Sequence, residues 1–149
     1  SRPDRRDGGR RRGYVAHMAR IAHFALTALD CPDPVALAEF YSAITGWEVD
    51  GDIEFDDDTG PLWVQLRAPS GATIAFQRVA DHRPPLRPGS EHPQQLHIDF
   101  DVPDLDAGEQ AVLAIGARKA EEQPGTSFRV YLDPAGHPFC LVHDPDLIL

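Results

Sequence analysis

His97 and Asp99 stand two positions apart in Leu96-His97-Ile98-Asp99-Phe100-Asp101-Val102, where apolar and polar residues alternate strictly. In an extended strand alternate side chains share a face, so the imidazole and the carboxylate point the same way. A histidine beside a carboxylate is the pairing that general base catalysis uses, because the acid orients the ring and favours its charged form. Residues two apart in a strand are separated by about 6.5–7 Å, so the side chains meet directly in favourable rotamers. The competing role for His97 is structural, with the ring tied to a backbone carbonyl or to Asp101.

Arg129 and Tyr131 repeat the two-residue spacing and offer a cation and a phenol to an anionic or phenolic ligand. An arginine paired with a nearby carboxylate is the alternative. Trp63 carries a flat ring that can stack on a planar molecule or simply pack. The acidic run Asp50, Asp52, Glu54, Asp56, Asp57 and Asp58 has the wrong spacing for a calcium loop. Phe55 stands where the tight-turn glycine belongs, and Pro61 where the bidentate glutamate belongs. It reads as a solvated hairpin tip.

These side chains need a scaffold, and the chain describes one twice. Asp30-Cys31-Pro32-Asp33 recurs as Asp101-Val102-Pro103-Asp104, each copy after an extended stretch and before a helical pattern. Asp33 can cap a helix whose first residue is Pro34, with Leu37, Phe40, Tyr41 and Ile44 on one face. Asp104 can cap a second helix over about 105–115. Gly46 and Gly116 suit the two helix ends. Pro69-Ser70-Gly71 and Pro134-Ala135-Gly136 mark parallel turns. Strands are expected over 20–30, near 47–55, 62–67 and 73–79, then over 96–102 and near 117–121, 128–132 and 138–143.

Both halves therefore read strand, helix, strand, strand, strand. The expected organisation is a basic leader over residues 1–18, disordered or added in cloning, and one domain over 19–149. Within that domain a first unit spans 19–80, a proline-rich linker 81–95 and a second unit 96–149.

Side-chain parity assigns the faces. The uniformly apolar sets (Leu62, Val64, Leu66, Ile74, Phe76, and Phe128, Val130, Leu132, Phe139, Leu141) are expected under the helices. The mixed set is expected to line a concave small-molecule site. In the first half it comprises Phe24, Leu26, Ala28, Trp63, Gln65, Ala75 and Gln77. In the second half it comprises His97, Asp99, Arg129, Tyr131 and Cys140.

Composition narrows the partners. The 149 residues carry a formal net charge of −10, with 42% hydrophobic types. Residues 1–17 contribute +4 through six arginines, which leaves −14 on the rest. An acidic body repels phosphate backbones, so nucleic acid is not an expected partner. No apolar run reaches the roughly 18 residues that span a membrane. Cys31 and Cys140 are too few for a disulfide framework, and a reduced, cytoplasmic setting is expected.

Two tandem βαβββ units with these motifs resemble the vicinal oxygen chelate (VOC) superfamily. That group includes glyoxalase I, bleomycin-resistance proteins, fosfomycin-resistance proteins and extradiol dioxygenases. Leu29-Asp30-Cys31-Pro32-Asp33-Pro34, Leu37-Ala38-Glu39-Phe40-Tyr41 and Thr45-Gly46-Trp47 resemble the first unit. His97-Ile98-Asp99-Phe100, Asp104-Leu105-Asp106, Gly116-Ala117 and Asp133-Pro134-Ala135-Gly136-His137-Pro138-Phe139-Cys140 resemble the second. The pattern is nearest the glyoxalase-like domain proteins common in actinobacteria.

The resemblance implies an α+β fold, with the two units forming an open, cupped, mixed β-sheet barrel and helices outside, in a homodimer. It also implies four inward metal positions, which fall on Leu26, Ala75, His97 and Cys140. Leu26 and Ala75 cannot ligate, and a thiolate is a soft donor poorly matched to magnesium or manganese. Gln77 replaces Ala75 only if the register differs by two. The full ion site is therefore not expected. A divalent metal stays possible, with His97 as the one good ligand.

The expected function is binding, with or without conversion, of a small organic molecule in the cup. His97 and Asp99 are the catalytic candidates, and Leu26, Trp63, Gln77, Arg129, Tyr131 and Cys140 the ligand-binding ones. The alternatives are a metal-independent, bleomycin-resistance-like drug binder and a metal-dependent lyase or dioxygenase using His97 with non-standard ligands. A scaffold whose sheet face is an oligomer interface is a further possibility.

Overall fold

The computed structural model describes residues 20–86 and 91–149. The basic leader and positions 87–90 of the linker lie outside the described residues. The first half runs β1 (Thr27–Cys31), α1 (Pro34–Thr45), β2 (Glu48–Val49), β3 (Glu54–Asp56), β4 (Gly60–Arg67) and β5 (Thr73–Arg78). The second runs β6 (Ile98–Val102), α2 (Leu105–Ala114), β7 (Arg118–Lys119), β8 (Phe128–Leu132) and β9 (Pro138–His143). The strand expected near 47–55 is two short ones, broken where Gly51 adopts φ 76°. The strands expected over 20–30 and 96–102 begin only at Thr27 and Ile98, so Phe24 and Leu26 precede the one and His97 the other.

The same local chemistry builds both helices. The Asp33 carboxylate accepts from the Ala36 amide at 3.1 Å, and Asp104 accepts from Ala107 at 2.9 Å. Each satisfies an amide that the first helical turn leaves without a partner. α1 ends at Gly46, whose φ of 71° a residue with a Cβ resists. The two hairpin turns also repeat bond for bond. Ala68 N–H donates to the Ala72 carbonyl at 2.8 Å, and Asp133 N–H to the His137 carbonyl at 2.9 Å. Gly71 and Gly136 each donate to the first residue of their own turn at 2.9 Å.

Two mixed sheets result. The first has strand order β1-β5-β4-β2, with β3 also paired to β4, and the second has β6-β9-β8-β7. In each, the opening strand pairs in parallel with the closing one, and the remaining pairs are antiparallel. The α+β architecture of two repeated units is as expected, with two separate sheets and no closed barrel among the described residues.

One core serves both halves. Tyr41 of α1 stacks on Phe76 of the first sheet, with ring centroids 5.6 Å apart, and Phe40 meets Phe139 of the second edge-on at 5.8 Å. α1 buries Pro34, Leu37, Ala38, Phe40 and Tyr41, whereas α2 buries only Val112. The first helix thus packs across the junction and the second caps its own sheet.

Register corrects one face assignment. Leu132 pairs with Pro138 across the turn, so Tyr131 stands opposite Phe139 and Arg129 opposite Leu141. Paired residues share a face. Arg129 and Tyr131 therefore lie under α2, and Phe128, Val130 and Leu132 lie on the face turned away from it, hereafter the inner face. The apolarity of those three residues pointed the wrong way, because hairpin register outranks hydrophobic pattern where both faces are covered. On the first sheet the expected faces hold: Trp63 pairs with Gln77 and Gln65 with Ala75, opposite the buried Val64, Leu66 and Phe76.

Candidate functional site

Strand pairing assembles the site. β6 and β9 run parallel with Asp99 beside Cys140. Neighbouring strands lie about 4.8 Å apart, so the backbone alone brings a carboxylate and a thiol together on the inner face. His97, two residues before Asp99, joins them. One donor atom from each of His97, Asp99 and Cys140 lies within 4.8 Å of the others.

His97 Nε2 is 3.2 Å from Asp99 Oδ1. That oxygen is buried and has no hydrogen-bond partner, so the ring approaches it without a well-formed bond. The other ring nitrogen, Nδ1, is 3.2 Å from the Gln94 side-chain amide, which orients the imidazole. His97 remains about one-third exposed at its side chain, within reach of an incoming molecule.

The other expected site residues separate. Leu26 is half-buried ahead of β1, and Phe24 is exposed. Trp63 and Gln77 sit side by side on the inner face of the first sheet. Trp63 Nε1 donates to Gln65 Oε1 at 3.1 Å, and Gln65 Nε2 donates to Asp50 at 3.0 Å. Arg129 pairs with Asp106 at 2.8 Å and with Glu109, which also holds Lys119 at 2.8 Å. Hydrogen bonding to Asp106, followed by the Glu109 charge, outweighs desolvation and raises the guanidinium pKa. Lys119 first and then Arg129 hold the Glu109 carboxyl low. Burial, then the Glu109 charge, pushes the Tyr131 phenol up. Arg129 thus ties α2 to β8, and neither it nor Tyr131 faces the His97 group.

A polar cluster at the junction carries no signal in the sequence spacing. Asp133 is fully buried and accepts from the Tyr41 hydroxyl at 2.7 Å, the Ala135 amide at 2.8 Å and the His137 amide at 3.0 Å. His137 Nδ1 lies 2.7 Å from the same carboxylate. Beside this cluster a cleft of about 400 Å³ opens between Ala28 and Asp30 of β1 and Pro138 of β9, with His82, His137 and Leu96 on its walls. Ala28 and Asp30 come from the first sheet and Pro138 from the second, so each half supplies part of the cleft wall. Leu96 and Pro138 place its edge next to His97 and Cys140.

Comparison with known proteins follows this geometry. The family model for the glyoxalase-like domain matches residues 27–142. No functionally curated protein matches the chain. Among solved structures, a fosfomycin resistance protein, FosX, from Listeria monocytogenes, complexed with Mn(II) and a dihydroxypropylphosphonic acid, superposes with a TM-score of 0.63 at 16% identity. That match covers 84% of this chain and 94% of FosX. A glyoxalase family protein from Bacillus cereus gives 0.61 at 17% identity, over 87% and 98% of the two chains. A glyoxalase/bleomycin resistance protein/dioxygenase family enzyme from Burkholderia phytofirmans gives 0.57 at 17%, over 80% and 96%.

The four-ligand ion site implied by this fold does not fit these residues. Ala75 is a fully buried methyl group and Leu26 an alkyl chain, so the first half brings no donor to its two positions. No helix among the described residues is long and apolar enough to cross a membrane. With the match spanning both sheets and both helices, the chain belongs to the glyoxalase-like domain family.

Proposed function

We propose that the protein binds a small, oxygen-bearing organic molecule in the hollow between its sheets, with His97 as the group that exchanges a proton with it. The observation that carries this reading is the 3.2 Å approach of His97 Nε2 to a buried Asp99 oxygen beside the cleft. A carboxylate at that distance orients the imidazole, and the Gln94 contact keeps the ring from rotating away. Trp63 and Gln77 supply a flat ring and an amide from the opposite sheet, which suits orientation of the rest of the molecule. Likeness to FosX, whose structure holds a dihydroxypropylphosphonic acid, supports a compact polar ligand class.

The test is a thermal-shift screen of wild type and His97→Ala against phosphonates, vicinal diols, 2-hydroxy acids and aromatic drugs, with turnover of each stabilising compound followed by NMR. At least one polar compound should stabilise the wild type, by the mass-action linkage of binding to folding, and lose that effect in His97→Ala. Equal stabilisation of the variant, or response to aromatic drugs alone, overturns the reading.

A further inference from the structure

The fold's usual hard-ion set is broken on the first unit, yet the second unit holds three donors within 4.8 Å of one another. We propose that His97 Nε2, an Asp99 carboxylate oxygen and Cys140 Sγ form a metal site, contained wholly in the second unit, for a borderline divalent ion of the zinc class and not for a hard ion such as manganese or magnesium.

The geometry makes this a built arrangement. Asp99 and Cys140 are register partners in a parallel pair, so backbone hydrogen bonding fixes two of the positions, and His97, one residue ahead of β6, reaches them from the approach to that strand. The buried Asp99 Oδ1, with no hydrogen bond of its own, is a carboxylate oxygen desolvated next to an imidazole nitrogen. A buried acceptor left in that state is costly unless something occupies its lone pairs.

Bonds of about 2.0–2.3 Å to N, O and S place donors about 3.3–3.7 Å apart in a tetrahedral shell, so closing around an ion takes a contraction of roughly 1 Å. Small side-chain rotations supply that. Gln94, turned to accept from Nδ1, would hold the ring with Nε2 free to ligate, the outer-shell arrangement common to metal-bound histidines.

Donor chemistry then selects the ion. A nitrogen, oxygen and sulfur set suits zinc or cobalt, whereas manganese and magnesium favour oxygen-rich shells. Cys140 ligates as thiolate, so binding releases its proton to solvent and strengthens as pH rises. Three protein donors leave one tetrahedral position open toward the hollow. The inference stands on the geometry alone, and its test contains none of the candidate ligand compounds, so it succeeds or fails independently of the proposed ligand binding.

The chain is stripped with a chelator and titrated with Zn(II) and Mn(II) in competition with a chromophoric chelator, and separately with Co(II) while the ultraviolet spectrum is followed. One zinc per chain is expected, favoured over manganese by about tenfold or more, with a thiolate-to-cobalt charge-transfer band. Cys140→Ser should abolish the band, and Asp99→Asn should weaken zinc binding with the band retained. Cys31→Ala should change neither, since Cys31 is fully buried and desolvation, then the Asp133 charge, pushes its thiol up to about 12. Manganese binding as tight as zinc, cobalt binding without a thiolate band in the wild type, or a band that disappears in Cys31→Ala and survives Cys140→Ser overturns the proposal. The wild-type cobalt spectrum decides even if a variant fails to fold.

Discussion

The two sheets share a backbone plan and differ in what they present on their inner faces. Ala75 and Cys140 hold the same place after equivalent turns, and Ala28 and Asp99 the same place before equivalent helix caps. Where the second sheet offers an imidazole, a carboxylate and a thiol, the first offers Leu26, Ala28 and Ala75. The first sheet keeps its polar groups further along, as the chain from Trp63 through Gln65 to Asp50. Duplication therefore fixes where inner-face positions stand but not which half supplies the donors. In this chain the titratable and metal-ligating side chains are concentrated on the second unit.

The turns show the same divergence, and exchanging their chemistry has the largest expected effect. Ala68 opens the first turn and Asp133 the second, with the same backbone bonds. Asp133→Ala keeps those bonds but leaves the Tyr41 hydroxyl and the His137 ring without their acceptor. Burial first, then the Asp133 charge and hydrogen bond, pushes the Tyr41 phenol far up, so it stays a neutral donor there. Losing one partner of a buried charged network costs about 3–5 kcal/mol, to be read as a fall in urea-unfolding free energy. A loss under about 1 kcal/mol would mean that the halves are held by their aromatic core and not by this carboxylate.

The helices come next. At the position where α1 carries the buried Leu37, α2 carries Gly108. A Cβ there would meet Leu141 Cδ1 at 3.0 Å and Val102 at 3.4 Å, so α2 sits against its sheet more closely than a side chain allows. Gly108→Leu, which restores the residue of the first half, should destabilise by about 1–3 kcal/mol through overpacking. A neutral or stabilising result in thermal unfolding would show that α2 can lift away without loss, as its single buried residue would then permit.

What could be read from the chain follows the range of the forces. Both caps and the turn glycines are local, so the repeat and the element order were legible. His97 and Asp99 were legible as a pair because strand parity involves only neighbours. Cys140 joins them through the parallel pairing of β6 with β9, which no spacing encodes, and its place there came from the family resemblance. The face of Arg129 and Tyr131 was misread because hydrophobic pattern stood in for register. Counting across the turn from Phe139, already assigned under the helix, would have placed Tyr131 beside it. Asp133 was not legible as a network, since its partner Tyr41 lies 92 positions away.

The smallest expected effect concerns His137, whose place in the first turn is taken by Ala72, a residue that cannot titrate. Nδ1 faces Asp133 at 2.7 Å, and the ring also engages the Asp30 backbone, while the His82 ring stands 5.2 Å away. Burial pulls the imidazole pKa down, but the hydrogen bond and charge of Asp133, with the Asp30 backbone, outweigh it and leave the pKa raised above 6.5. A neutral ring has one N–H and cannot donate to both acceptors, so the folded state prefers the cation. With the folded value above the unfolded one, the stabilisation is fully present below about pH 6.5 and is lost as pH rises through the folded value. Urea midpoints should therefore decline from pH 6.5 upward in the wild type, less steeply in His137→Gln, and by less than either substitution above. Parallel declines in the two proteins would remove His137 as the source and leave the junction insensitive to protons.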